Sequence, residues 1–226
     1  MLLMGDRTDG GMIQQIEVTI TLPDLERRLR GALAGPLPGL EAQLRLAPTP
    51  RPGWQPGRVL SESRAAAGLL LLFPGENGVH LLLTVRSSML PNHAGQVSLP
   101  GGAVEPGETI EEAALREAHE EIGVEPARIR VLGRLTPLHI PVSGYVLHPV
   151  VGVTAERPCF RLADAEVEQL LEPNLEALQD PGCVRRGLRW RDDLFQDVPY
   201  FAIDGLKVWG ATAMVLAEFL ALVGRS

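Results

Sequence analysis

Three carboxylates, Glu117, Glu120 and Glu121, occupy positions i, i+3 and i+4. In a helix this spacing gathers them within roughly a 100° arc, so they face one small volume. Like charges repel there, and the acids lie toward the carboxyl end of the helix they predict, where the backbone dipole disfavours anions. A hard divalent cation resolves that conflict, and Mg²⁺ or Mn²⁺ suits carboxylates combined with phosphate oxygens. Such a cation can neutralise and orient a pyrophosphate and activate water, while a nearby carboxylate takes the proton as the water attacks phosphorus. No covalent nucleophile is required.

The acids need a helix held against a core. Thr109 and Glu112 have capping-box spacing, and Gly123 can end the helix after Ile122. Leu115, Ala118 and Ile122 fall on one side and predict its core face. Upstream, residues 66–73 and 80–85 read as two strands around a Pro-Gly-Glu-Asn-Gly segment, with a third strand at 97–99 before a Pro100-Gly101-Gly102 turn. Downstream, 130–138, 145–154 and 187–190 are strand candidates, and a helix runs from Trp209 towards Leu222. Leu25, Leu29 and Leu33 predict an early helix over 24–33, and Pro48, Pro50, Pro52 and Pro56 mark a connector behind it. Strands flanking an internal helix, with a terminal helix after them, fit an α/β sandwich better than a dinucleotide-binding alternating sheet.

Residues 1–19 read as a loose leader, 20–60 as an N-terminal helix with its Pro-rich connector, and 61–226 as one catalytic domain that includes the C-terminal helix. A chain of 226 residues suits one substantial core. Its net charge of −7 gives no general attraction to nucleic acid, although local arginines and a metal can reverse the field in one pocket. Cys159 and Cys183 form no CxxC pair and read as reduced thiols, which points to a cytoplasmic protein. The apolar run at 68–73 is too short to span a bilayer, which needs about 20 residues, and the amino terminus lacks the apolar region of a signal peptide.

The stretch from Gly102 to Val124 resembles the Nudix box: Gly, five residues, Glu, seven residues, Arg-Glu, two residues, Glu-Glu, one residue, Gly and a hydrophobic residue. Gly102, Glu108, Arg116, Glu117, Glu120, Glu121 and Gly123 match its fixed positions. The resemblance implies a Nudix-type α/β/α sandwich with a central mixed sheet and a metal-binding helix. It implies that Glu117, Glu120 and Glu121 are metal ligands or catalytic carboxylates and that Gly102 lends a carbonyl near the metal. It also implies that Arg116 ties the loop to the helix through Glu108; Glu112, four residues before Arg116, is a competing partner.

Leu82-Leu-Thr-Val-Arg86-Ser87 and Gly95-Gln-Val-Ser-Leu-Pro-Gly-Gly102 resemble the extended motif of the coenzyme A pyrophosphatase subfamily. Pro91 stands where that pattern commonly has Arg, and Leu99 where it commonly has Phe. The segments 143–152 and 209–213 are similar to the same subfamily, and Glu166 sits in a late acidic-then-Val context that implies a water-activating or metal-orienting acid. Arg86, Ser87, His93, Gly95 and Tyr145 are the candidate substrate contacts, with Trp209 a further candidate pocket border. The expected partner is a small anionic nucleotide, coenzyme A first, then NADH or ADP-ribose, with neither nucleic acid nor membrane; a homodimer is compatible. A noncatalytic nucleotide-binding regulatory domain is the alternative from a different class.

Overall fold

The computed structural model describes residues 20–51, 54–55, 63–88, 95–191 and 193–224. In chain order its elements are α1 (Leu22–Leu33), α2 (Gly39–Leu44), β1 (Arg64–Gly75), β2 (Gly78–Leu81), β3 (Leu83–Arg86), β4 (Val97–Ser98), β5 (Gly101–Ala103) and α3 (Ile110–Ile122). There follow β6 (Arg130–Arg134), β7 (Leu138–Ile140), β8 (Tyr145–Val153), β9 (Val167–Leu171), α4 (Leu175–Gln179), β10 (Val184–Arg191), β11 (Leu194–Ile203), β12 (Leu206–Trp209) and α5 (Gly210–Val223).

Strand β1 organises the layers. Ala67, Leu69, Leu71 and Phe73 join one core with Ala113, Ala114, Ala118 and Ile122 of α3. Leu70 and Leu72 join another, with Met214, Val215 and Phe219 of α5 and Leu25 and Leu29 of α1. Successive side chains leave a strand on opposite faces, so helices cover both sides of β1. That is why residues 68–73 form a continuous apolar run rather than an alternating one. Each Leu or Phe so buried contributes roughly 1.5–3 kcal/mol. The three alanines of α3 let that helix lie close to the sheet; Leu115, expected on the core face, is only partly buried at its margin.

The central sheet is mixed. Its order is β2-β1-β8-β6, with β5 added to β1 and β7 to β8. β1 and β8 run parallel from Arg64↔Tyr145 to Leu72↔Val153, whereas β2, β5, β6 and β7 pair antiparallel. Two three-stranded sheets, β4-β3-β9 and β10-β11-β12, complete the fold. This is the α/β sandwich with a mixed sheet that the sequence leads one to expect.

Some boundaries differ from the sequence reading. Residues 80–85 divide at Leu82, because β2 pairs with β1 while β3 leaves to pair with β4 and β9. Residues 130–138 likewise divide between β6 and β7. Residues 101–102 belong to no turn: Ala67↔Gly102 and Gly68↔Gly101 are paired across β1 and β5. Glycines carry no side-chain signal for a strand, so pairing made through the main chain alone is invisible in the sequence. Of the proline connector, residues 52–53 and 56–60 lie outside the described residues, as does the leader at 1–19.

Candidate active site

The helix bearing the acids is fixed at both ends. At its start the Thr109 side chain accepts from the Glu112 N–H at 3.2 Å, and the Glu112 carboxylate accepts from the Thr109 N–H at 2.8 Å. At its end Gly123 adopts φ 70°, a left-handed conformation that glycine takes without steric cost. Glu112 is therefore committed to the cap, and Arg116 turns to Glu108. Its Nε donates to Glu108 Oε1 at 2.9 Å and one Nη to Glu108 Oε2 at 3.1 Å. The other Nη donates to Glu117 at 2.8 Å and to Glu120 at 3.1 Å. Glu108 is held below the usual carboxylate range by Arg116 first and then by the Glu105 N–H.

The three acids do not share one environment. Glu121 is 3% exposed. Burial pushes its carboxyl up to about 7, opposed by Arg86 and by the Gly101 N–H, and reinforced by Glu117 and Glu166. Glu117 is also raised, by burial first; Arg116 opposes the shift, and Glu120 and Glu166 add to it. Glu120 is more exposed and faces Arg116. The acids that sense one another are thus the buried Glu121, the half-buried Glu117 and the exposed Glu166, with Arg86 as the cation that acts on Glu121.

Gly102 closes this group. A methyl group added there would overlap the Glu117 carboxylate. A glycine so placed brings a backbone carbonyl strand and a carboxylate into close approach. Mutually repelling carboxylates packed against a strand backbone offer hard oxygen donors of the kind a divalent cation takes. The residues present fit such an ion. Among the described residues, however, no three His, Cys, Asp or Glu side chains close on a single point; Arg116 donates to both Glu117 and Glu120.

Beside the helix opens a cavity of about 810 Å³. Gly101, Gly102 and Ala103 of β5 border it, not the carboxylates of α3, and Arg86, Tyr145 and Trp209 line it. Ser87 and Gly95 are not in its wall but hold Arg86 in place. The Ser87 N–H donates to the Glu166 carbonyl at 2.8 Å, and the Gly95 N–H donates to the Arg86 carbonyl at 3.0 Å. Glu166 itself is exposed, in the loop that enters β9. His93 and Pro91 lie outside the described residues. Two further arginines, Arg51 and Arg189, reach the cavity wall; neither belongs to a motif, and no spacing in the sequence marks them.

The NUDIX domain family matches residues 62–185. This chain belongs to the Nudix hydrolase family. It is 38% identical over 151 residues to the uncharacterized Nudix hydrolase NudL of Escherichia coli, covering 64% of this chain and 75% of that protein. A NudL of Klebsiella pneumoniae is 38% identical over 181 residues, 75% of this chain and 88% of the relative. Among solved structures, a MutT protein of Methanosarcina mazei aligns with a TM-score of 0.48 at 19% identity, over 74% of this chain and 99% of that one. As a Nudix hydrolase the protein acts on a nucleoside diphosphate-linked substrate, and the family's chemistry generally uses divalent metal ions. No helix among the described residues is long and apolar enough to cross a membrane.

Proposed function

We propose that this Nudix hydrolase cleaves the internal diphosphate of coenzyme A or of an acylated or oxidised derivative, with Mg²⁺ or Mn²⁺ as its ion. Water oxygen joins one phosphorus and the bridging P–O bond breaks, giving 4′-phosphopantetheine, or its acyl form, and adenosine 3′,5′-bisphosphate. The observation that carries this reading is the placement of Arg86, from the segment resembling the coenzyme A pyrophosphatase motif. It lines the same cavity as Gly102 and acts electrostatically on Glu121.

In this reading Glu117, Glu120, Glu121 and the Gly102 carbonyl hold the ion, which supplies charge neutralisation and a more acidic water. Glu121, the most deeply buried of the three acids, and Glu166 are the candidate carboxylates for taking the water's proton. Arg86 pairs with a substrate phosphate oxygen, where a guanidinium offers two parallel donors. Tyr145 and Trp209 border the rest of the substrate. Arg116 does no chemistry and positions Glu108, Glu117 and the β5 strand. Leu99 is buried in the cavity wall, and a side chain smaller than the Phe common there leaves more room for the ligand. Two unpaired thiols, Cys159 and Cys183, suit a reducing cytoplasm.

The test is steady-state hydrolysis with Mg²⁺ or Mn²⁺, comparing coenzyme A with NADH and ADP-ribose and identifying products by mass. A preference for coenzyme A with both expected products supports the proposal. Faster cleavage of NADH or ADP-ribose keeps the reaction and rejects the substrate; metal-independent inertness towards all three would favour a noncatalytic nucleotide-binding domain.

A further inference from the structure

Arg189 on β10 lies with its guanidinium 4.4 Å from the centre of the Trp209 ring. One of its terminal nitrogens is buried and, among the described residues, meets no acceptor. A buried charged donor left unmade is costly, and an oxyanion is the group that satisfies it best.

Arg51 is brought to the same cavity by an independent set of contacts. Gln196, the cross-strand neighbour of Arg189, donates to the Pro50 carbonyl at 2.8 Å. Thr49 and Asp197 exchange backbone hydrogen bonds at 2.8 and 2.9 Å. These fix the chain just before Arg51. That guanidinium sits 4.5 Å from the Trp54 ring centre and donates to Met214 Sδ at 2.9 Å. Burial lowers its proton affinity to about 10, which leaves it cationic at neutral pH.

Arg116, Arg130, Arg157 and Arg186 are each paired with a carboxylate. Arg51 and Arg189 have no such partner among the described residues, although the chain carries a net charge of −7 and acids to spare. Both instead lean on tryptophans, which orient a guanidinium plane without neutralising it.

We propose that Arg189 and Arg51 form a second anion subsite, which binds a phosphate monoester on the nucleoside half of the substrate while the diphosphate lies at Gly102 and Arg86. The inference rests on the coenzyme A reading: that substrate carries a 3′-phosphate on its ribose in addition to the diphosphate, whereas NADH and ADP-ribose carry none. Arg189 lies on the β10-β11-β12 sheet and Arg51 on the segment bridged to β11, so this specificity device stands on a different sheet from the one that carries Arg86.

Two measurements on the full-length protein test it. In the first, kcat/KM is compared for coenzyme A and 3′-dephospho-coenzyme A in the wild type, Arg189→Met and Arg51→Met. The wild type should favour coenzyme A by about tenfold or more, the scale of a charge-assisted hydrogen bond. Either substitution should shrink that preference, through a higher KM for coenzyme A more than through kcat. In the second, calorimetry without metal compares adenosine 3′,5′-bisphosphate with adenosine 5′-monophosphate. The wild type should bind the bisphosphate more tightly by a similar factor, and this comparison needs no variant to fold. An unchanged substrate preference in both variants, or equal wild-type affinity for the two nucleotides, overturns the subsite. If the wild type cleaves neither coenzyme substrate, the coenzyme A reading falls by itself, and the calorimetric comparison still decides whether the subsite exists.

Discussion

The backbone N–H of Ser87 donates to the backbone carbonyl of Glu166 at 2.8 Å, so the strand end that carries Arg86 and the loop that carries Glu166 are fastened together. Arg86 pairs in register with Val167, next to a bulge between Val85 and Arg86. An acid in an exposed loop, 45 residues after Glu121 in sequence, is thereby set where its charge raises the proton affinity of both Glu117 and Glu121.

Glu166→Gln should accordingly lower kcat by about 10- to 100-fold, the range for a positioned acid or base. Removing its charge should also move the acidic limb of the kcat–pH profile to lower pH, by a small amount because Glu166 is solvated. A wild-type kcat with an unmoved limb would remove Glu166 from the reaction.

Gly102→Ala tests the closeness of β5 to the acidic helix. The added methyl group collides with the Glu117 carboxylate, so either the acid turns away or the strand shifts. Mn²⁺ affinity, followed by titration of the purified protein, should fall by about 10- to 100-fold, as when a ligand's supporting shell is disturbed. Gly31→Ala is the control: nothing lies within 4 Å of an added methyl group there, and alanine is the better helix former. Equal Mn²⁺ affinity in both variants would contradict the role given to Gly102.

The parts of the fold that are local in sequence are the parts the sequence displays. The capping box at Thr109, the stop at Gly123 and the Leu25–Leu29 face of α1 each need only neighbours within a turn or two. The fork from Arg116 to Glu108 follows only from the family resemblance, since helical spacing by itself offers Glu112 as the partner. What stayed hidden depends on distant partners. Strands β9, β11 and β12 mix polar and apolar residues because their faces meet solvent and core unevenly. Glu218 looks like a lapse in an apolar helix, yet it is fully buried and accepts from the N–H groups of Gly39 and Thr136 at 3.1 and 3.2 Å and from Gln43 at 2.8 Å. Arg51 and Arg189 reach one cavity only when β10 pairs with β11 and Thr49 bridges to Asp197. No one-dimensional pattern records such meetings.

Glu121 predicts a pH dependence of stability. Its folded-state carboxyl is raised to about 7 from an ordinary 4.5, so between those values the folded protein binds more protons than the unfolded chain. Stability of the metal-free protein should therefore fall as pH rises from about 4.5 through 7, by up to about 3 kcal/mol from this group. Glu121→Gln should flatten that fall and raise Tm at pH 8 in EDTA, while lowering turnover at least about 100-fold with saturating metal. Thermal unfolding across pH, with turnover measured on the same samples, checks both halves. A variant no more stable than the wild type at pH 8 would mean that the buried carboxyl is not strained.

Arg116→Lys separates charge from geometry. The guanidinium spends its donors on Glu108, Glu117, Glu120 and the Ala103 carbonyl at once, and these ion pairs in turn raise its own proton affinity. A lysine keeps the positive charge, but its three donors radiate from one nitrogen, so it cannot form the two-point fork on Glu108 and still reach Glu117, Glu120 and the Ala103 carbonyl. The lost support should cost about 1–2 kcal/mol of stability and about tenfold or more in kcat/KM. Glu108→Gln should reproduce part of the same loss, since it weakens the fork from the other side. Wild-type kinetics and Tm in Arg116→Lys would show that a single positive charge at this position suffices and that the fork orients nothing the reaction needs.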